Sequence, residues 1–163
     1  MGVRGRELFL SMMLTVCLFA IVLLALIPIL QPVAAFDIEK TVVKGGWWDG
    51  YKLTGKVRVL WDDATAMYWS EHYGIAEVYG IGFWVGLEVN WVRVWGRVFL
   101  NGELVASGDV KEYAGPFDSS VEADLWFSFY LADKAQTRVL CEFFDGYWYY
   151  WYEIKYEELT LEF

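Results

Sequence analysis

Acid–base or metal chemistry in this chain would have to begin at His72, its only histidine. Glu71 precedes it directly, and Asp62 and Asp63 lie a short way upstream. Transition-metal sites draw on several histidines or thiolates at set spacings, and no such set occurs here. Asp62 and Asp63 offer oxygen ligands suited to Ca²⁺, but the spacing of a calcium-binding loop is missing. We therefore expect His72 to be a solvated loop residue, and we predict no metal and no cofactor.

Nucleophilic catalysis lacks its usual sequence signals. No serine lies in a Gly-x-Ser-x-Gly turn, and no glycine-rich loop precedes a helix to bind phosphate. The two cysteines, Cys17 and Cys141, lie in different parts of the chain, which excludes a disulfide within the C-terminal domain. Cys141 alternates with Val139 and Phe143, a pattern typical of a small buried side chain. The sequence predicts no catalytic residue and no enzymatic activity.

Residues 147–152 form an unbroken aromatic tract, Tyr-Trp-Tyr-Tyr-Trp-Tyr. Side chains alternate between the two faces of a strand. The even positions continue to Ile154 and are expected in the core, whereas the odd positions continue to Glu153 and Lys155 and are expected outside. Exposed aromatic area often marks a partner surface, because Tyr and Trp are enriched in interface cores. In the alternative interpretation, the chain's own loops, such as Trp47-Trp48, cover this face.

Two further tryptophans fall on the polar side of their strand, because Trp91 and Trp95 share one face with Arg93 and Arg97. A stacking platform for sugars is another use that such rings allow. The candidate partner-binding residues are therefore Trp91, Trp95, Tyr147, Tyr149 and Trp151.

Short alternating segments separated by glycine-containing turns run through residues 36–163. They predict an all-β domain of many short strands. Asn101-Gly102 has the composition of a two-residue hairpin turn, and Asp145-Gly146 predicts a second hairpin with a strand over residues 147–155. These features together predict an antiparallel, immunoglobulin-like β-sandwich preceded by one apolar N-terminal helix.

Two segments of the domain carry weaker patterns. Residues 75–89 alternate as a single strand, and the pattern inverts near Asn90, which predicts a bulge or break there. Residues 62–73 fit either a short helix or a loop leading back into the sheet.

The N-terminal run, residues 8–30, carries no charge. About 23 helical residues extend about 34 Å, which is enough to cross a hydrocarbon core of ~30 Å. Arg4 and Arg6 precede the run, whereas Asp37 and Glu39 follow it. Because basic flanks stay cytoplasmic, this asymmetry predicts that the C-terminal domain lies outside the cell membrane.

Three fates are open for this run. It is an uncleaved membrane anchor, or a secretory signal cleaved after Ala35, where small residues at Val33 and Ala35 fit a signal-peptidase site. In the third, a pilin-like helix is cut near Arg4-Gly5 and packs in a filament core. The predicted domains are residues 1–35, the anchor or signal, and residues 36–163, the extracytoplasmic sandwich. The predicted location is the cell membrane, or the cell surface and exterior after cleavage.

The formal net charge of −9 bears on partners. A surface this acidic repels nucleic acid and anionic lipid head groups. We therefore expect no nucleic-acid partner, and the membrane is expected to be contacted only through residues 8–30.

Residues 86–128 contain the hairpin segment VFLNGELVASG at 98–108, followed by a loop and an alternating strand. This arrangement resembles the late-embryogenesis-abundant type 2 (water-stress, WHy) domain. The Asn-Pro break of that family corresponds to Asn90-Trp91, so tryptophan stands where the family has proline. The resemblance implies a non-enzymatic, membrane-tethered sandwich with a protective or binding role, and it supplies no catalytic residues.

The apolar N-terminus followed by an acidic, aromatic β domain also resembles archaeal-type filament subunits. Such subunits join by helix packing or by donating a strand to a neighbour's sheet. The predicted strand over residues 37–44 is the candidate donor, with Ile38, Lys40 and Val42 on one face. The sequence therefore predicts a tethered binding or protective domain, with a secreted or pilin-like filament subunit as the alternative.

Overall fold

The computed structural model describes residues 34–45, 50–62, 65–80, 86–116 and 118–163. These belong to the compact unit Ala34–Phe163. The predicted helix over residues 8–30, the loop tryptophans Trp47-Trp48 and the calcium candidate Asp63 lie outside the described residues. Within those residues, no helix has the length and apolar character that crossing a membrane requires.

Nine strands and one short 3-10 helix, Tyr156–Glu158, make up the described chain. The strands are β1 (Ala34–Lys44), β2 (Gly50–Asp62), β3 (Met67–Tyr79), β4 (Glu88–Leu100), β5 (Glu103–Tyr113), β6 (Ser120–Phe129), β7 (Lys134–Phe144), β8 (Tyr149–Ile154) and β9 (Thr160–Glu162).

The strands form two antiparallel sheets that pack face to face as a β-sandwich, as the sequence predicts. The first sheet has the order β1-β2-β3-β6, and the second has the order β5-β4-β7-β8, with β9 also paired to β7. Between the sheets, β2 lies against β7, and β3 lies against β4. The first and last strands of each sheet are edge strands, so one side of β1 has no partner strand among the described residues.

The core follows the period of two along each strand. On β2, Leu53, Val57 and Val59 face inward and are almost wholly buried. Burying each such side chain contributes about 1.5–3 kcal/mol relative to leaving it in water. On β7, Cys141 lies in the same core, as predicted, and burial raises the pKa of its thiol to about 12.

Turn chemistry accounts for the hairpins. Asn101 and Gly102 have φ values of 52° and 84°, so the predicted two-residue turn between β4 and β5 is confirmed. A turn also begins at Asp145-Gly146, where Gly146 has a φ of 89°. The predicted strand start at Tyr147 is wrong, because the loop continues and β8 begins only at Tyr149.

The prediction of one strand over residues 75–89 is wrong. β3 ends at Tyr79 and β4 begins at Glu88. Gly80 and Gly86 have φ values of 69° and 87°, which an extended strand does not contain, so these glycines serve turns rather than a mid-strand strip. The predicted irregularity near Asn90 is confirmed, because the register of β4 against β7 shifts between Val89 and Trp91.

The ambiguous segment, residues 62–73, is mostly strand. β3 begins at Met67, which pairs with Asp62 across the β2–β3 hairpin. The rings of Trp61 and Tyr68 pack 4.1 Å apart by their centroids, and this cross-strand contact favours the strand over a helix.

His72 is buried in β3, so the expectation of a solvated loop residue is wrong. Its Nδ1 lies 2.7 Å from the hydroxyl of Thr137 on β7, and its Nε2 lies 2.9 Å from the hydroxyl of Ser70. The Phe127 ring contacts it edge-on at 5.2 Å. Burial lowers the pKa of His72 to about 4, so the imidazole is neutral in the folded protein at neutral pH.

This burial predicts a pH-dependent stability. The unfolded chain binds a proton at His72 below pH 6.5, whereas the folded chain binds it only near pH 4. The free energy of unfolding should therefore fall as pH drops from 6.5 to 4, by on the order of 3 kcal/mol from this group. Urea unfolding of the full chain and of His72→Gln, each at several pH values, measures the contribution of His72 to the free energy of unfolding.

The glutamine variant keeps a polar amide but does not titrate. It should be less stable at neutral pH, yet lose less stability on acidification than the parent protein. The same loss in both proteins would assign the acid sensitivity to carboxylates instead.

Candidate partner-binding surface

Asp145 organises the loop between β7 and β8. Its Oδ1 accepts hydrogen bonds from the backbone N–H of Trp148 at 2.7 Å and of Tyr147 at 2.9 Å. Its Oδ2 accepts a hydrogen bond from the Tyr150 hydroxyl at 2.9 Å. These bonds, led by the one from Trp148, hold the pKa of Asp145 below its usual value. The carboxylate is therefore ionised at neutral pH, and it fixes the loop that presents the neighbouring rings.

Four large aromatic side chains on this hairpin face solvent. The exposed fractions are 85% for Tyr147, 70% for Trp148, 60% for Tyr149 and 58% for Trp151. We call these four residues the aromatic hairpin surface. The prediction that Tyr147, Tyr149 and Trp151 point outward is confirmed.

The prediction that the even positions are buried holds only in part. Tyr152 is half-buried and Ile154 is fully buried, but Trp148 is exposed. Regular alternation starts only where β8 starts, at Tyr149, and Trp148 still belongs to the loop. Tyr150 is 38% exposed because it lies at the open end of the sandwich beside that loop.

Trp91 lies beneath this surface, and the expectation that it is exposed is wrong. Only 7% of it is accessible. The Trp151 ring contacts it edge-on at 5.2 Å, and the ammonium of Lys111 lies 3.9 Å from its ring centroid. Its indole N–H donates a hydrogen bond to Glu142 at 2.6 Å. Trp91 therefore supports Trp151 and does not itself face a partner.

Trp95 is half-buried between two arginines. The guanidinium carbons of Arg93 and Arg138 lie 4.5 and 4.7 Å from its ring centroid. Arg93 is paired with Asp109, and Arg138 with Glu153, each at 2.5 Å. Basic side chains of the second sheet therefore cover this ring by cation–π contacts. In the alternative interpretation, loops such as Trp47-Trp48 cover the aromatic face. Those two residues lie outside the described part of the chain.

Sequence reasoning missed Tyr113, which extends the aromatic area. It is paired directly with Trp91 across β4 and β5, and 67% of it is exposed. Lys111 lies over both rings, at 3.9 Å from that of Trp91 and 4.6 Å from that of Tyr113. The sequence does contain a signal for this position. Lys111 and Tyr113 are two residues apart on one strand, so both side chains lie on the same face.

The candidate donor-strand residues lie in a strand that is paired within the chain. β1 pairs with β2 from Ala34 opposite Trp61 to Lys44 opposite Tyr51. Ile38 and Val42 are half-buried against the core, on one face as predicted. Lys40 is exposed and forms an ion pair with Glu158 at 3.6 Å.

The described residues bring together few side chains that could catalyse a reaction or bind a metal. Glu71 points away from His72 to the opposite face of β3 and pairs with Arg58 at 3.5 Å. Asp62 accepts a hydrogen bond from Thr65 at 2.7 Å. Over the part of the chain that the structure describes, no group of three His, Cys, Asp or Glu side chains could hold a metal ion.

No protein-family model matches the sequence, and no curated protein matches it. Among solved structures, a crystal structure of the ApaA protein from Bordetella pertussis is similar in part. The two share 10% sequence identity with a TM-score of 0.37, over 81% of this chain and 95% of that one. A similarity at this level carries no argument about function.

Trp91 and Trp151, which contact each other edge-to-face, should differ in their effect on stability. Trp151→Ala removes an exposed ring and one edge-to-face contact, so we expect a loss of about 1 kcal/mol in the free energy of unfolding. Trp91→Ala removes a buried ring and its hydrogen bond, and should cost about 3 kcal/mol or more. Urea unfolding of the full chain in a maltoside detergent measures both. Equal losses would mean that Trp151 belongs to the core.

Proposed function

We propose that this protein is a membrane-tethered β-sandwich outside the cytoplasm, and that its aromatic hairpin surface binds a protein partner without catalysing a reaction. The observation that carries the proposal is the exposure of Tyr147, Trp148, Tyr149 and Trp151 side by side on one fixed hairpin. Large exposed apolar patches on soluble proteins often mark binding surfaces.

The size of the patch is adequate for an anchor. Each Tyr or Trp side chain buries about 150–250 Å² when fully covered. If a partner removes about 100 Å² per ring, four rings contribute on the order of 10 kcal/mol at about 25 cal/mol per Å². Estimates of the association cost span about 4 to 15 kcal/mol, so the patch can serve as the anchor of an interface, and a stable complex needs further contacts around it.

The charges around the patch indicate the chemistry of the partner. Asp145 and Glu142 adjoin it, Glu153 is paired with Arg138, and Lys111 lies over Trp91; the chain as a whole carries a net charge of −9. A partner that offers an apolar pocket rimmed by Lys or Arg would complement this surface, and basic rims raise the rate of association.

The non-enzymatic part of the proposal is supported by the surroundings of His72. An acid–base group must reach its substrate, and this imidazole is wholly buried with both ring nitrogens engaged by hydroxyls. The tether is supported by the uncharged run over residues 8–30 and by Arg4 and Arg6 before it.

The late-embryogenesis-abundant type 2 resemblance and the immunoglobulin-like description of the fold contribute unequally. The late-embryogenesis-abundant type 2 resemblance agrees with a tethered, non-enzymatic sandwich and remains part of the proposal. The immunoglobulin-like description does not extend to strand order. In immunoglobulin domains the second and third strands lie in opposite sheets, whereas β2 and β3 form a hairpin within one sheet. Only the sandwich itself is carried forward.

A filament subunit is the second candidate, and the position of β1 favours it. Among the described residues, one edge of this strand has no partner strand, and its Phe36 and Val43 are about half exposed. An edge of this kind can pair with a strand from another copy.

The mass of the native protein tests the tether. We expect the membrane-extracted protein to retain residues 8–30, because the apolar run is long for a signal peptide. Intact mass spectrometry, with N-terminal sequencing, gives the result. A chain that begins at Phe36 would contradict the tether, and one that begins at Gly5 would favour the filament subunit.

Site-specific cross-linking tests the partner surface. A benzophenone amino acid at position 148, introduced in cells that make the protein, should give a cross-linked adduct on irradiation. Trp151→Ser in the same chain should abolish that adduct, because the neighbouring anchor ring is lost. Position 130 is the matched control, since Tyr130 is also about 70% exposed but lies next to β6 in the other sheet.

The mass of the adduct separates the candidates. An adduct with a different protein supports the proposed partner, whereas an adduct of twice the chain mass favours the filament subunit. The same adduct from position 130, or none from position 148, would remove the aromatic hairpin surface as a binding site.

A further inference from the structure

A cleft of about 240 Å³ opens on the inner side of the β7–β8 hairpin. Tyr150 and Tyr152 line it from one face of β8, opposite to the face that carries Tyr149 and Trp151. The cleft is therefore separate from the aromatic hairpin surface. Its lining within the described residues is Gly45, Tyr51, Leu87, Asp145, Tyr150 and Tyr152.

Three tyrosine rings form the walls of this cleft. The ring centroids of Tyr150 and Tyr152 lie 6.2 and 6.0 Å from that of Tyr51. Phe143 packs behind, with its centroid 4.5 Å from that of Tyr51 and 5.6 Å from that of Tyr152. Tyr51 is buried and backed by the core, so it forms the fixed inner wall of the cleft, and the rings of Tyr150 and Tyr152 line the cleft beside it.

The electrostatic character of the cleft is negative. Among the lining residues that the structure describes, Asp145 is the one charged side chain, and its hydrogen bonds hold its pKa below the usual value. Aromatic faces carry partial negative charge and attract cations that lie within about 6 Å of the ring centroid. A carboxylate and three such rings therefore act in the same direction.

We propose that this cleft binds a small organic cation of the quaternary ammonium class, such as a trimethylammonium group. Asp145 repels anions. A divalent metal ion needs about six or more oxygen ligands, and the lining offers one carboxylate. A volume of about 240 Å³ is below the roughly 300–1,000 Å³ of pockets for drug-sized ligands, so the bound group is small.

The hydrogen bonds of Asp145 favour a quaternary over a primary ammonium. Its two oxygens already accept bonds from Tyr147, Trp148 and Tyr150. A primary ammonium brings three N–H donors that each need an acceptor when desolvated. A quaternary ammonium has no N–H, so it requires only charge and ring faces, and the cleft supplies both.

Choline, titrated into the full chain in nanodiscs of phosphatidylglycerol, tests the proposal by calorimetry. We expect saturable binding that is absent with potassium chloride of equal ionic strength. The uncharged isostere 3,3-dimethylbutan-1-ol, which has the same shape without the charge, should bind about tenfold more weakly or not at all. No choline binding, or equal binding of the isostere, would overturn the inference.

Matched variants locate the site. Tyr150→Ala removes an accessible wall and should weaken choline binding by about tenfold, whereas Tyr150→Phe keeps the ring and should retain most of it. Asp145→Asn should weaken binding by removing the charge. Tyr130→Ala, which removes an exposed ring next to β6 in the other sheet, should leave choline affinity unchanged. Unchanged binding in Tyr150→Ala, with an unchanged thermal unfolding curve, would overturn the assignment.

Two sources could supply a trimethylammonium group, a free solute or a phosphatidylcholine headgroup. Repeating the titration in nanodiscs that contain phosphatidylcholine distinguishes them. A reduced apparent affinity for choline assigns the natural ligand to the lipid headgroup, and an unchanged affinity assigns it to a solute. Both results support the shared chemistry. Neither depends on the protein-partner proposal, which the cross-links from position 148 test separately.

Discussion

The contact between His72 and Gly96 at the centre of the sandwich is the constraint on which much of the structure depends. The imidazole lies between the sheets, bonded to Thr137 on β7 and to Ser70 on its own strand. A Cβ at position 96 would lie 2.8 Å from the imidazole and 2.7 Å from the Phe127 ring. Glycine on β4 therefore gives the buried ring its space, and the two hydroxyls satisfy its polar atoms. Losing either would leave a clash or an unpaired polar group in the core.

The packing of His72 against Gly96 also determines which side chains face outward from the second sheet. β4 pairs with both β5 and β7, so its position sets the register of three strands. With Gly96 facing the core, Val94 also faces inward and Trp95 faces outward. A slip of one residue would exchange these side chains between core and solvent. The arginine contacts on Trp95, and the support that Trp91 gives to Trp151, are therefore consequences of the register inside the sandwich.

Local sequence signals predicted much of this fold, and the failures have a physical cause. Asn101-Gly102 defines its hairpin because the conformation that the turn requires suits those two residues, whatever lies around them. The alternation of apolar and polar residues inverts near Asn90, and this local signal likewise marks the register shift. The alternation over residues 75–89 predicts a strand through Gly80 and Gly86, because a turn can leave the alternation of the residues on its two sides in phase. The burial of His72 depends on Gly96 and Thr137 from other strands, and the pattern around residue 72 contains neither.

The same distinction separates the two faces of the β7–β8 hairpin. Alternation along one strand was enough to predict that Trp151 points outward, but the cover that Lys111 gives to Trp91 comes from a strand far away in sequence. The sequence around β8 gives even less indication of the cleft, because one of its walls, Tyr51, comes from β2. Asp145 belongs to both faces, since it holds the loop at the tip and the Tyr150 hydroxyl beside the cleft. If a cation and a partner both bind, each must act on this one carboxylate-organised loop. Any effect of the cation on partner affinity then requires an equal effect of the partner on cation affinity.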